Sequence, residues 1–343
     1  MDFSLSEEQQ MFAETARQLF ADKSGPDQWR EQMTSGEARM EARWNAIAEN
    51  GFTMLLLPED EGGLGLSELD FALVAEQAGY AALPDPLVES AGVAAPMLAQ
   101  LAPGHDLLAH PEASISIQHP ANAAVADADI SAAIILHDGG TAYLARPDQV
   151  GLSRRESIDP FRRLFDVEWD KQRATELGQA DWDLALDRGA LFAAAQGLGI
   201  AQRCVDLAVA YAKERQQFGK PIGTYQAVKH RLASAQTAIE FVRPVVLAAA
   251  ARIGDRDLVA QSLISHAKIV ALEAADNAAR AAIQVHGAMG YSWEVDVHLF
   301  LKRALALTNS WGTPYFHRQR IARRMATCPM GPSHTFDREP QDA

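Results

Sequence analysis

Apolar residues recur at helical spacing over most of the second half of this chain. From about Trp182 to Ala212, an alanine- and leucine-rich run places them at i, i+3 and i+4 without a proline, which predicts one long helix. Gly219 and Pro221 predict its end, because glycine suits the C′ position and proline cannot continue a helix. A second helix is predicted to begin near Thr224, so the two helices meet at a short corner.

The same periodicity predicts that the second helix extends to about residue 253. Three more helices are predicted downstream, and the first two of them cover residues 258–286 and about 294–307. The last one opens at Thr313-Pro314, because threonine suits the cap and proline suits the first helical turn. The final residues, 329–343, are rich in proline, glycine and polar residues, which predicts a loose tail.

Near the start of the chain, a serine followed by Glu7 and Glu8 predicts the opening of a helix. A further helix is predicted over about residues 37–50, and Ser67 is predicted to cap a helix over residues 68–78. This part of the chain therefore reads as a helical domain.

Between about Ala113 and Asp170 the pattern changes to short β-rich runs separated by turn residues. Residues 114–117, 134–136 and 141–144 are predicted strands, and the polar stretch 160–169 is predicted to be an edge strand with loops. The fold class is therefore mostly α with a small β domain.

Composition narrows the possible functions. The 343 residues carry a formal charge of −14 and a pI of about 5.1, which argues against nucleic-acid binding because phosphates would be repelled. No run approaches the roughly 18–20 apolar residues of a membrane span. Cys204 and Cys328 fit neither a disulfide framework nor a metal site. Met1 is not followed by a signal-peptide pattern, so we expect a cytoplasmic protein.

The corner between the two long helices carries candidate chemistry. Arg215 and Phe218 are three residues apart, which predicts that they share one helix face just before the break, and Gln226 returns across the turn. Spacing alone fits either of two interpretations. One is an ordinary turn with a solvated arginine and a buried phenylalanine, and the other is a binding site.

The residues of this corner read RQQFGKPIGTYQ, and they match every position of R-x-x-F-G-[KR]-x-[IL]-x-x-x-Q. This pattern resembles the flavin-binding signature of the acyl-CoA dehydrogenase family. Two further segments, PEDEGGLGLS at 58–67 and QVHGAMGY at 284–291, resemble other elements of the family, and the resemblance extends to about Arg324. In the second segment Ala288 replaces a family glycine.

The resemblance implies an N-terminal helical domain (1–112), a reduced β domain (113–176) and a C-terminal four-helix bundle (177–328). It also implies FAD as the cofactor, with one set of residues reaching the ADP portion of a neighbouring subunit's FAD. By motif match these residues are Arg215, Phe218, Gln226, Gln284 and Gly287. Thr313 is a weaker candidate, because its predicted place at a helix N-terminus suits an anion, although capping alone explains it. The family's T-E-x-x-x-G-S and W-[IV]-[ST] segments, which wrap the flavin ring, are absent from the β domain.

The catalytic base of the family is also absent from its two usual positions. Where most members carry glutamate before the last helix, this chain has Trp311, and where some members place it early in the first bundle helix, this chain has Gly189. Asp187 lies two positions away, roughly 200° around the helix, and is a weak candidate. His286, alone at a helix end, is interpreted as structural.

The resemblance therefore implies a subunit that takes part in oxidising an acyl-CoA thioester to the 2,3-enoyl-CoA without supplying the base. The favoured interpretation is an α2β2 heterotetramer with a full-length partner, resembling the enzymes of bacterial sterol side-chain degradation, with an electron-transfer flavoprotein as acceptor. Two alternatives stay open. One is a homo-oligomer, a tetramer of this chain with an unusual base, and the other is a non-catalytic acyl-CoA-binding relative.

Overall fold

The computed structural model describes residues 4–328, so the predicted tail and the first residues lie outside the described part of the chain. Ten α-helices are found there: Glu7–Lys23 (α1), Pro26–Ser35 (α2), Glu41–Glu49 (α3), Glu68–Tyr80 (α4), Ala95–Leu101 (α5), Trp182–Glu214 (α6), Gln226–Arg252 (α7), Leu258–His286 (α8), Val297–Thr308 (α9) and Pro314–Thr327 (α10). The strands are Ile115–Ile117 (β1), Val125–Ala126 (β2), Ala133–Asp138 (β3), Thr141–Ala145 (β4), Gly151–Arg155 (β5), Leu164–Glu168 (β6), Thr175–Gln179 (β7), Gln216–Gln217 (β8) and Lys220–Pro221 (β9). The predicted fold class, mostly α with a small β region, is confirmed.

The N-terminal helices begin where capping chemistry places them. Ser6 accepts from the backbone of Gln9 at the start of α1, and Ser67 accepts from Asp70 at the start of α4, which confirms both predicted starts. The helix predicted over 37–50 is shorter, and α2 was not predicted. The sequence of α2 is mostly polar, and it buries few side chains, so its periodicity is weak.

The β region forms two small sheets. One has the order β1-β3-β4-β7, with β1 parallel to β3, and the other has the order β2-β6-β5. The prediction of an edge strand within 160–169 was wrong, because β6 is the central strand of the second sheet and pairs with both β2 and β5. Phe165 is buried in β6 while its neighbours are partly exposed, and this one-sided burial explains the polar sequence.

Five helices follow the sheets, and the three long ones run antiparallel in succession. α8 is central and contacts α6, α7, α9 and α10. The N-terminal helix α4 crosses α6 at very close range, since a Cβ at Gly199 would lie 1.9 Å from the carbonyl oxygen of Glu76. One continuous apolar core therefore joins the N-terminal helices to the bundle. The domain boundaries themselves stay a prediction.

Within the described residues, one helical stretch, Leu258–Tyr291, is long and apolar enough to cross a membrane. This differs from the expectation above, which counted uninterrupted apolar residues. Just over half of its most apolar window, 56%, is buried inside the protein, as the central position of α8 requires.

Candidate functional site

The corner after α6 is a β-hairpin, not a helical turn. α6 ends at Glu214, and the backbone of Arg215 caps it by donating to the Tyr211 carbonyl at 2.8 Å. β8 and β9 then pair across a two-residue turn in which Phe218 and Gly219 have φ values of 53° and 78°. Such turns need two positive φ values, so the phenylalanine-glycine pair forms the hairpin. The prediction that Arg215 and Phe218 share one helix face was wrong.

The hairpin presents its side chains to solvent. Phe218 is 92% exposed, and the guanidinium of Arg215 makes no hydrogen bond or ion pair with any residue described. Gln226, the first residue of α7, is also exposed and without a side-chain partner among the described residues. Tyr225 braces the hairpin, since its hydroxyl donates to the Gln217 carbonyl at 3.1 Å. The interpretation with a buried phenylalanine is therefore wrong, and a role of these exposed side chains in binding stays a prediction.

The glycine-rich element lies at the same end of the bundle. α8 ends at His286 and is capped by Gly287, where φ is 63° and a side chain would meet nothing within 4 Å, and Gln284 is exposed one turn earlier. His286 Nδ1 donates to the Ala282 carbonyl at 2.8 Å, and the ring stacks on Tyr211 of α6 with the centroids 4.2 Å apart. His286 therefore has the structural role predicted for it, and it ties the end of α8 to the end of α6, four residues before the hairpin.

At the opposite end of α6, the two usual base positions touch each other. A Cβ added to Gly189 would lie 2.1 Å from Cδ2 of Trp311, so the indole packs flat against the glycine backbone. Trp311 is 1% exposed and has a φ of 55°, an unfavourable value for a bulky residue. The backbone N–H of Trp311 donates to Asn122 Oδ1 at 2.5 Å. The space between the two base positions is filled by the indole.

A chain of buried hydrogen bonds holds Trp311 in this position. The Trp311 carbonyl accepts from His317 Nε2 at 2.8 Å, so Nδ1 of the neutral ring accepts from the Ser265 hydroxyl at 3.1 Å. Arg320 donates to Ser265 at 3.4 Å and to Asp187 at 2.6 Å. Burial, together with the nearby Lys268 charge, lowers the pKa of His317 to about 3, which keeps it neutral.

Asp187 is a member of this chain of contacts. It is 2% exposed, and burial raises the pKa of its carboxyl group while the Arg320 charge opposes the rise. Its ion pair with Arg320 accounts for its burial. Asp187 therefore has a structural partner.

Thr313 does not join the other predicted cofactor residues. It caps α10 by accepting from the Phe316 backbone, next to Trp311, which packs on Gly189. Gly189 and Arg215 are separated by 26 residues of helix, about 39 Å at 1.5 Å per residue. The structure therefore brings Arg215, Phe218, Gln226, Gln284 and Gly287 to one end of the bundle and leaves Thr313 at the other.

Asn122, Ser265, His317 and Arg320 were missed by the sequence analysis. They come from the loop after β1 and from α8 and α10, and they converge only because these elements pack around Trp311. A single cue existed, the polar residue His317 six positions after Trp311 on a helix that turned out to be partly buried. Nothing in the sequence marks Asn122.

Comparisons with known proteins identify the family. The model of the acyl-CoA dehydrogenase N-terminal domain matches residues 6–102, and that of the C-terminal domain matches residues 178–326. This chain belongs to the acyl-CoA dehydrogenase family. Members of this family are FAD-dependent oxidoreductases, so the expected cofactor and enzyme class are confirmed.

Several relatives are similar over nearly the whole chain. The acyl-CoA dehydrogenase IpdE2 of Mycobacterium tuberculosis is 33% identical over 306 residues, 87% of this chain and 91% of that protein. IpdE2 of Mycolicibacterium smegmatis is 32% identical, over 92% of this chain and 98% of the relative. Among solved structures, the ChsE4–ChsE5 complex of M. tuberculosis has a TM-score of 0.82 at 21% identity, covering 96% of this chain and all of the matched chain. A variant of the Tcur3481–Tcur3483 steroid ACAD has a TM-score of 0.83 at 24% identity, over 94% of this chain and 99% of the other.

The hairpin end of this acyl-CoA dehydrogenase chain has residues that fit part of FAD. Among the described residues the Arg215 guanidinium has no partner, and two exposed amides and an open glycine offer the donors and the close backbone approach that a diphosphate and an adenosine need. At the Trp311 end, the indole packs on Gly189, and a cavity of about 290 Å³ is lined by Ser310 and by Asn122, which bonds the Trp311 backbone.

Proposed function

We propose that this chain is the base-lacking subunit of a heteromeric acyl-CoA dehydrogenase that oxidises an acyl-CoA thioester to the 2,3-enoyl-CoA. The observation that carries the proposal is the contact of the Trp311 indole with Gly189. It occupies both usual sites for a base with residues that cannot accept a proton. The reaction then needs a second chain that supplies the base.

In the proposed reaction, the α-proton of the thioester passes to a carboxylate of the partner chain. FAD, when bound, supplies the acceptor for the hydride that leaves the β-carbon. This chain binds and orients the far end of the dinucleotide. Arg215 pairs with the diphosphate, Gln226 and Gln284 form hydrogen bonds, and Gly287 allows the backbone to approach closely. Phe218 covers the edge of the adenosine.

Two of the similar solved structures support a heteromer, since the ChsE4–ChsE5 complex and the Tcur3481–Tcur3483 steroid ACAD are each named for two chains. The chain covers nearly the whole length of these relatives, so it can take the place of a whole subunit. We propose an α2β2 assembly in the cytoplasm, with a sterol-derived acyl-CoA as substrate and an electron-transfer flavoprotein as acceptor.

The test is the visible absorbance of the purified chain, alone and after co-expression with a full-length homologue that has an intact base. The expected result is little flavin in the chain alone and stoichiometric flavin, bleached by acyl-CoA, in the pair. Turnover by the chain alone would contradict the proposal and support the homo-oligomer. A colourless pair that still binds acyl-CoA would support the non-catalytic alternative.

A further inference from the structure

A cavity of about 280 Å³ lies between α8, the end of α9 and the start of α10. Its wall on α8 has two adjacent rows with residues four apart, Lys268, Leu272, Asp276 and Arg280 in one and Ile269, Glu273 and Asn277 in the other. Gln284, one of the proposed cofactor residues, follows Arg280 on the face of the first row, because residues four apart lie on one face of a helix. The cavity, here called the α8 groove, therefore lies on the helix face that leads to Gln284.

Lys268, at one end of the first row, has no counter-ion among the residues that the structure describes. Lys268 is 2% exposed, and its one hydrogen bond among the described residues goes to the Leu307 carbonyl at 2.7 Å. An ammonium group has three donors, so two are unused. Burial lowers the pKa of Lys268 to about 7, and the positive charge of Arg162 adds to this effect. His317, which faces it from α10, is neutral and has both ring nitrogens occupied.

The acidic groups of the α8 groove do not neutralise this lysine. Asp276 accepts from Arg280 at 2.8 Å, and Glu273 accepts from Arg318 at 2.9 Å near the rim. The other oxygen of Asp276 is buried and has no partner among the described residues. The groove therefore contains a buried cation that lacks an anion and a carboxylate oxygen that lacks a donor, and each is costly to leave unpaired.

We propose that the α8 groove receives an aspartate or glutamate side chain from the partner subunit, with Lys268 as its counter-ion. This inference rests on the proposed function. The N-terminal end of α10, at Pro314, lies in the wall of the groove and adds a partial positive charge that also favours an anion. A free anion is disfavoured because the chain carries a formal charge of −14, whereas a partner subunit holds its carboxylate at the groove once it has docked.

The test compares assembly of the chain with its full-length partner for four proteins: wild type, Lys268→Met, Leu305→Glu and Lys229→Met. Lys268→Met leaves the incoming carboxylate buried without a cation, and we expect the dissociation constant to rise about 30-fold or more. Leu305→Glu adds a carboxylate from α9, in the wall of the groove, so it supplies the counter-ion internally and blocks the incoming one. Lys229, exposed on α7, is the matched control and should assemble normally.

Thermal unfolding of each isolated chain shows which variants fold. If Lys268→Met does not fold, the assembly of Leu305→Glu with the partner decides whether the inference holds. Normal assembly of a folded Lys268→Met chain, with normal flavin content, would overturn the inference and leave the proposed function intact. Normal assembly with loss of flavin would also overturn it, by showing that the groove holds the cofactor. A wild-type chain that assembles with no full-length homologue would overturn the proposed function and this inference together.

Discussion

The two ends of α6 place the same kinds of residue in opposite situations. At its C-terminal end, the Arg215 side chain has no partner among the described residues, and Phe218 is 92% exposed and meets only the edge of Tyr225 there. At its N-terminal end, Trp311 and His317 are buried, Arg320 is partly buried, and His317 and Arg320 are both hydrogen-bonded. The open end is suited to bind something outside the chain, whereas the closed end is suited only to itself. Substitutions should therefore change binding at the first end and stability at the second.

The largest effect is expected from Trp311→Gly, which empties the closed end. Loss of a buried tryptophan costs about 3–5 kcal/mol, and glycine returns about 1 kcal/mol because it accepts the φ of 55° without strain. Urea unfolding measures the loss. Added indole should raise the melting temperature of this variant and not of wild type, since it can refill the cavity. No effect of indole would mean that the closed end had collapsed.

Arg215→Ala should have its effect at the open end alone. The lost charge-assisted hydrogen bonds are worth about 1.5–3 kcal/mol, so the assembled pair should retain FAD at least 10-fold less tightly, while the unfolding free energy stays the same. Flavin absorbance after dialysis and thermal unfolding measure the two quantities. The control is Arg231→Ala, because Arg231 is also an exposed arginine and lies on α7, and it should change neither quantity. A destabilised Arg215→Ala chain would contradict the comparison.

Gly189→Ala tests the contact between the two base positions. Its methyl group would collide with the Trp311 indole, and overpacking of this kind costs about 1–3 kcal/mol. Gly254→Ala, where a methyl group meets nothing within 4 Å, should be nearly neutral. In a Trp311→Gly background the cost of Gly189→Ala should disappear, and a double-mutant cycle measures this coupling. Additive effects would show that the two residues do not touch.

The smallest expected effect is a change in the slope of the unfolding free energy against pH. Because burial lowers the pKa of His317 to about 3 while an unfolded histidine has about 6.5, the unfolded chain binds one more proton between these values. The native state should therefore lose up to about 1.4 kcal/mol per pH unit from this residue as the pH falls below 6.5. His317→Gln should make the slope of unfolding free energy against pH shallower by about one proton. An unchanged slope would contradict the neutral histidine.

Local signals in the sequence predicted much of the fold. The predicted helix over residues 258–286 has the bounds of α8, and the caps at Ser67 and Thr313 lie where they were predicted. These features depend on a few neighbouring residues, so they can be read without knowing the fold. The central strand β6 was misjudged, because its partners β2 and β5 are separate segments whose pairing is not a local property.

The site shows the same difference between features that are local in the sequence and features that depend on distant segments. The motif from Arg215 to Gln226 identified the residues, but the helix-face geometry drawn from it was wrong, because a positive φ at Phe218 starts a hairpin. The replacement of both bases was visible from Trp311 and Gly189, while their contact was not. The contact between Trp311 and Gly189 joins residues far apart in the sequence. It also depends on Asn122 and His317, which hydrogen-bond to Trp311 from other elements.

The sequence by itself therefore determined the family, the helices and the absence of a base at its usual positions, because each of these is recorded in residue types at short spacing. Only the tertiary structure decided that the Trp311 indole packs on Gly189, that the exposed residues predicted to bind the cofactor share one end of the bundle, and that Lys268 lines the α8 groove without a counter-ion among the described residues. The physical reason is packing, since burial and the absence of a partner are properties of distant segments brought together and not of any one stretch of chain.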